Sequence, residues 1–224
     1  MTYEKTLWGT FISRPNRFIA HVMTNSGEVI CHVKNTGRCR ELLVPGTPVV
    51  LADMEGVQKR KTRYDLIAVK KGERLINIDS QAPNKAAGEL LKRLYPAADV
   101  RSEVKVGASR IDFCVEENGK VTYVEVKGVT LEDGGVVSFP DAPTLRGIKH
   151  LKELSALSEK GCGAAVLFIV QMKNVKYFIP NRKTHPQFAD ELLLAREKGV
   201  SVIAFECDVT EDSMTATSPV EVLL

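Results

Sequence analysis

Through the first eighty residues apolar side chains recur in runs too short for helices, many of them alternating with polar ones, and turn residues separate most of the runs. The pattern predicts strands over residues 7–13, 18–23, 28–33, 49–51, 64–70 and 75–78. Asn25-Ser26-Gly27, Asn35-Thr36-Gly37 and Pro45-Gly46 punctuate them, with a brief helix over 39–43. Five or six short strands and one small helix in this length predict a closed barrel of the OB kind. The polar stretch 79–84, with Pro83 in its middle, marks a boundary between a domain at 1–80 and another at 81–224.

Beyond that boundary the period changes to mixed α/β. A helix from Asn84 as N-cap to about Tyr95 turns Ala87, Leu90, Leu91 and Leu94 inward and stops at Pro96. Strands follow over 99–106, 109–116, 121–127 and 136–139. Asp141 then opens a helix with Pro143 in its first turn and an apolar stripe of Leu145, Ile148, Leu151, Leu154 and Leu157, ended by Gly161. The unbroken apolar run 164–170 reads as a strand covered on both faces. A last helix over 186–198 leads into a strand over 200–207. The fold class expected is therefore an all-β barrel followed by an α/β domain with a mixed central sheet.

The hairpin in the second domain carries the chemistry. Asn118-Gly119 suits a type I′ turn, because both residues tolerate positive φ. With that loop Glu117 faces Lys120, Asp112 falls opposite Glu125, and Lys127 lies two residues further on the same face. Ile111, Phe113, Val115, Val124 and Val126 take the other, buried face. Two carboxylates about 5 Å apart at Cβ repel each other, and a divalent cation between them reverses the sign. Mg²⁺ or Mn²⁺ on Asp112 and Glu125, with water and phosphate oxygens completing its shell, fits this placement. Lys127 would orient a water or stabilise phosphate charge. The plain alternative is a half-solvated sheet face whose acids are balanced by Arg110 and Lys127.

Charge sharpens the contrast between the domains. The 224 residues carry a net +3, but residues 1–80 hold 13 Lys+Arg against 8 Asp+Glu, and residues 81–224 hold 18 against 20. A basic barrel beside a slightly acidic metal-binding module suits a polyanion partner. Arg14, Arg17, Arg38, Arg40, Arg60 and Arg63 fall near the barrel's turns as candidate nucleic-acid contacts. Trp8, Phe11, Phe18 and Tyr64 serve either as stacking platforms or as core. On the helix after the hairpin, Arg146, Lys149, His150 and Glu153 share the side away from the leucine stripe, where its cations would grip a phosphate backbone or simply meet solvent. Glu89 on the preceding helix is a candidate third carboxylate, and Gln171 at a strand end can project toward the same site.

Other chemistry is excluded or unsupported. Five scattered cysteines without CxxC spacing argue against a disulfide framework and a structural zinc site, and Cys31-His32 reads as strand. There is no GxSxG and no phosphate-cradling glycine loop. No secretory leader pattern opens the chain and no apolar run approaches a membrane span, so a cytoplasmic protein is expected.

An acid on one strand, an E-x-K on its neighbour and a helix after them is the arrangement of PD-(D/E)xK nuclease-like domains. The chain also resembles the sugar fermentation stimulation protein family (SfsA), almost end to end. The resemblance is carried by Ser13-Arg14-Pro15-Asn16-Arg17-Phe18, Asn35-Thr36-Gly37-Arg38, Glu41-Leu42-Leu43-Val44-Pro45-Gly46, Arg110-Ile111-Asp112-Phe113, Val124-Glu125-Val126-Lys127-Gly128-Val129-Thr130 and Phe139-Pro140-Asp141-Ala142-Pro143-Thr144, with Arg146-Gly147 and Lys149-His150-Leu151. It implies an OB-like domain and a nuclease-like domain in a protein that binds DNA without sequence preference and regulates sugar (maltose) metabolism. It also implies Asp112, Glu125 and Lys127 as the metal site. Two readings stay open: a DNA-binding factor with little or no catalysis, and a Mg²⁺- or Mn²⁺-dependent nuclease acting on DNA, single strands or RNA. A barrel that binds protein or oligosaccharide is less favoured by its charge.

Overall fold

Strand pairing at the start of the chain closes on itself. β1 (Thr6–Asn16), β2 (Ile19–Thr24), β3 (Gly27–His32), β4 (Pro48–Asp53) and β5 (Tyr64–Lys71) pair in the order β3-β2-β1-β4-β5, and β5 returns to β3 in parallel through Cys31↔Tyr64 and His32↔Asp65. β6 (Arg74–Asn77) adds to β5. The result is a five-stranded OB barrel, with Phe11, Val22, Cys31, Val49, Leu51 and Leu66 among its buried side chains. Residues 39–43 form a hydrogen-bonded turn rather than the expected helix: the amides of Leu42 and Leu43 both donate to the Cys39 carbonyl (3.2 and 2.8 Å). So short a segment cannot recover the cost of helix nucleation, and Pro45 follows it.

This computed structural model describes every residue except Thr36, Arg38, Gln58, Lys59 and Ala108. The chain forms two compact units. The barrel unit comprises Met1–Ala82 with Gln171–Lys173 and Cys207–Thr215. The second comprises Pro83–Val170, Asn174–Glu206 and Ala216–Leu224.

In the second unit α1 (Ala82–Leu94) precedes β7 (Asp99–Val106), β8 (Ser109–Glu117) and β9 (Lys120–Val129), an antiparallel meander. After β10 (Leu131–Asp133) and β11 (Val136–Phe139) comes α2 (Leu145–Glu159), then β12 (Gly163–Val170), β13 (Tyr177–Pro180), α3 (Pro186–Glu197), β14 (Ser201–Val209) and β15 (Met214–Val222). The sheet order is β10-β11-β13-β15-β14-β12-β9-β8-β7, with β12 parallel to both β9 and β14. As the apolar run predicts, β12 is buried from Ala164 to Val170. The short strands β10 and β13, and β15 with Pro219 inside it, were absent from the pattern; a proline within a run weakens any strand signal.

Two helices differ from expectation in ways that matter for the site. α1 starts two residues before Asn84, so Asn84 is no cap and its side chain is turned to another use. α2 starts at Leu145, capped by the Thr144 side chain, which accepts from the Gly147 amide (3.0 Å). Its buried residues are Gly147, His150, Leu151, Leu154 and Ser155, while Leu145 is 79% exposed. Gly147 marks a close approach to α3: a Cβ there would lie 3.0 Å from the Phe188 ring.

Candidate functional site

The β8–β9 ladder has the register that its turn dictates, from Glu117↔Lys120 to Phe113↔Val124. Asn118 and Gly119 turn with φ of +52° and +76°. Ile111, Phe113, Val115, Val124 and Val126 are all buried, as expected. One step beyond Phe113↔Val124 a side chain takes over from the backbone. The Val126 amide donates to Asp112 Oδ2 (2.8 Å), and Asn84 Nδ2 donates to Oδ1 (2.9 Å). Asp112 thus rests on two neutral donors.

Glu125, 4% exposed, has charged company. Lys127 Nζ donates to its Oε1 (2.7 Å), and His150 Nδ1 contacts the same oxygen. The two carboxyls are pushed apart in acidity. Burial raises Asp112, and the nearby Glu125 charge raises it further, against the pull of its amide donors. Burial also works against the Glu125 charge, but the His150 hydrogen bond and the Lys127 ammonium prevail and hold it below the usual carboxylate range.

His150 corrects the sequence analysis most clearly. The expected solvent-facing residue is 8% exposed, on the buried face of α2. Arg146 Nε donates to its Nε2 (3.3 Å), so the ring proton sits on Nδ1 and is donated to Glu125. Lys127 Nζ lies 3.2 Å from that Nδ1. Arg146 and Lys149 remain exposed, the latter 3.6 Å from Glu153. Glu89 is exposed on α1, and among the described residues no three His, Cys, Asp or Glu side chains gather into a metal cage. Asn84, which sequence analysis used only as a cap, is the α1 residue that reaches Asp112. Gln171 belongs to the barrel unit instead, where its Nε2 donates to the Asn77 carbonyl (2.9 Å).

In the barrel most of the named cations are engaged. Arg14 donates to the carbonyls of Asn35, Gly37 and Arg17 (2.7, 2.9 and 2.7 Å) and so braces loop backbone. Arg60 pairs with the wholly buried Asp65, which also meets Lys34 (3.2 Å) and His32 (3.5 Å). Lys34 reaches Asp79 as well (3.0 Å). Arg63 pairs with Asp53 (2.7 Å) and Glu55 (3.0 Å). Arg17 lies over the exposed Phe18 ring (5.8 Å to its centre), and Arg40 is exposed; Arg38 lies outside the described residues. Trp8 is exposed and donates to Glu211 (2.6 Å), Phe11 is core, and Tyr64 is half-buried under Arg63. Burial, and next the Asp65 charge, push the Cys31 thiol up to about 12, which makes it an inert core residue. Among the described residues no helix is long and apolar enough to cross a membrane.

A buried and a half-buried carboxylate on adjacent strands, the second without a direct cationic partner, offer part of a cation shell and leave the rest to water and phosphate. That all-oxygen donor set suits a hard ion such as Mg²⁺ better than Zn²⁺, which favours Cys and His ligands.

Known families match the chain in two parts. Residues 12–78 match the family described as the SfsA N-terminal OB domain, and residues 81–213 match the sugar fermentation stimulation protein RE domain. A sugar fermentation stimulation protein homolog of Desulfitobacterium hafniense is 52% identical, covering 100% of this chain and 99% of its own. One of Clostridium beijerinckii is 48% identical, with full coverage of both. The structure of Pyrococcus furiosus SfsA in complex with Ca²⁺ has a TM-score of 0.89 and 29% identity, covering 100% of this chain and 98% of that one. With both of its parts matched and its relatives aligned from end to end, the chain belongs to the sugar fermentation stimulation (SfsA) protein family.

Proposed function

We propose that this protein binds DNA with little sequence preference and that its second unit is a divalent-cation-dependent phosphodiesterase site. The observation that carries this reading is the Asp112–Glu125 juxtaposition, in which one carboxylate lifts the other's pKa. The mutual repulsion of two acids costs the fold stability, and acids perturbed in this way are candidates for functional sites. The Ca²⁺ complex of the Pyrococcus furiosus relative supports a hard divalent ion as the partner.

Each residue then has a role. Asn84 and the Val126 amide fix the Asp112 carboxylate, and Asp112 and Glu125 together would hold Mg²⁺ or Mn²⁺. When bound, such an ion polarises a phosphate oxygen and makes hydroxide available near neutral pH. Lys127, close to both acids, donates to a non-bridging phosphate oxygen or orients the attacking water. Arg146 and Lys149 on α2, with Arg17 and Arg40 in the barrel, contact backbone phosphates, so affinity falls steeply with salt. Exposed Phe18 under Arg17 suits stacking of an unpaired base. A role in sugar metabolism would follow from DNA binding.

Incubation of supercoiled plasmid and single-stranded DNA with Mg²⁺ or Mn²⁺ tests the site. Nicking is expected in the wild type and lost, by at least a hundredfold, in Asp112→Ala and Lys127→Ala, while gel-shift binding persists. Binding without cleavage of either substrate in either metal leaves the DNA-binding function and removes the hydrolytic one.

A further inference from the structure

A chain of contacts runs from exposed Arg146 to the candidate cation site. Arg146 Nε donates to His150 Nε2 (3.3 Å), the imidazole Nδ1–H donates to Glu125 Oε1, and Lys127 Nζ donates to that same oxygen (2.7 Å). Oε1 of Glu125 is thus held from two sides. A cation that draws on that oxygen competes with the imidazole for it, and Arg146 keeps the imidazole in place.

Arg146 is also the link in this chain that a ligand can reach. A phosphate bound bidentately through Nε and one terminal nitrogen takes the donor that His150 now holds. We propose that Arg146 and His150 form a latch on the cation site: His150 occupies Glu125 in the free protein, and a nucleic-acid phosphate that captures Arg146 releases it. The inference rests on the cation-site reading above and adds its regulation. Nucleic acid and cation tighten each other's binding, as linkage requires, so a full site forms on the nucleic acid rather than free in solution.

Mn²⁺ binding to the full chain, followed by the free-ion electron paramagnetic resonance signal, tests the latch without relying on cleavage. Wild-type protein alone should bind weakly, and an uncleavable phosphorothioate oligonucleotide should tighten Mn²⁺ by about tenfold or more. His150→Ala should bind Mn²⁺ about tenfold tighter than wild type without oligonucleotide, as expected on removing one hydrogen bond to a charged competitor. It should also gain less when the oligonucleotide is added. Arg146→Lys, on the surface and unchanged in charge, loses the Nε donor and should shift the same way, even if His150→Ala folds poorly. An unchanged or weaker Mn²⁺ affinity in either folded variant overturns the latch; a weaker one is what results when a ligand loses the hydrogen-bond partner that orients it. Asp112→Asn separates the two ideas: it should abolish Mn²⁺ binding, and binding that survives it overturns the cation-site assignment itself.

Discussion

In the barrel, Asp65 is enclosed by Arg60, Lys34 and His32, and Asp79 shares Lys34. In the mixed sheet, Asp112 has neutral donors on its own oxygens, and the Glu125 charge beside it outweighs the more weakly felt Lys127 ammonium. Asp65, Asp79 and Glu125 are buried and Asp112 is half-buried. The first group brings opposite charges together and fastens the seam where β3 meets β5. The second sets two like charges side by side, and the direct cationic contact goes to Glu125 alone. Burial of charge is therefore a poor guide to function by itself; what informs is whether each charge has been given its counter-ion.

The largest test of that contrast is Lys34→Met. It leaves Asp65 and Asp79 facing each other in the barrel without their shared ammonium, and removing one partner of a buried pair costs about 3 kcal/mol or more. Urea unfolding should show the loss as a lower midpoint. If stability is unchanged, the barrel cluster is no fastening.

The two sheet acids should respond with opposite signs, measured in EDTA. Glu125→Gln discards the favourable Lys127 and His150 contacts and should lose about 2 kcal/mol near neutral pH. The loss should shrink under acid conditions, where the wild-type carboxyl is protonated as well. Asp112→Asn should be stabilising. The fold raises the Asp112 pKa, so its stability contribution is present at low pH and lost as the group ionises. Wild type bears that loss at about pH 7, but the amide does not, and the gain should vanish at about pH 3. Thermal melts across that range decide the matter. Two melts moving in the same direction would mean the acids are an ordinary pair.

The smallest effect belongs to Arg63→Ala. Its pairs with Asp53 and Glu55 lie at the surface, where such interactions contribute little. The change should be marginal at low salt and fade at about 1 M, where screening acts over about 3 Å. A large loss there would show that the barrel's surface pairs stabilise it as its buried ones do.

Much of the second unit's site was legible along the chain. Asn118-Gly119 sets the hairpin loop, the loop sets the register, and period-two alternation puts Asp112, Glu125 and Lys127 on one face and five apolar residues on the other. These are short-range consequences of backbone geometry, so they need no knowledge of distant contacts. The barrel's strands followed for the same reason.

What the sequence could not supply is the partner of each charge. Leucine spacing put Leu151 and Leu154 of α2 in the core, as found, but not Leu145, which meets solvent. The buried face extends instead to Gly147, which lies close to Phe188 forty-one residues away, and to His150 on Glu125. Arg60 read as a nucleic-acid contact along the chain, yet the closed barrel sets it, with Lys34, against Asp65. A strand's side-chain directions are written in its own few residues. Which way a helix faces, and which opposite charge a buried acid meets, depend on elements far along the chain, and packing alone brings those together.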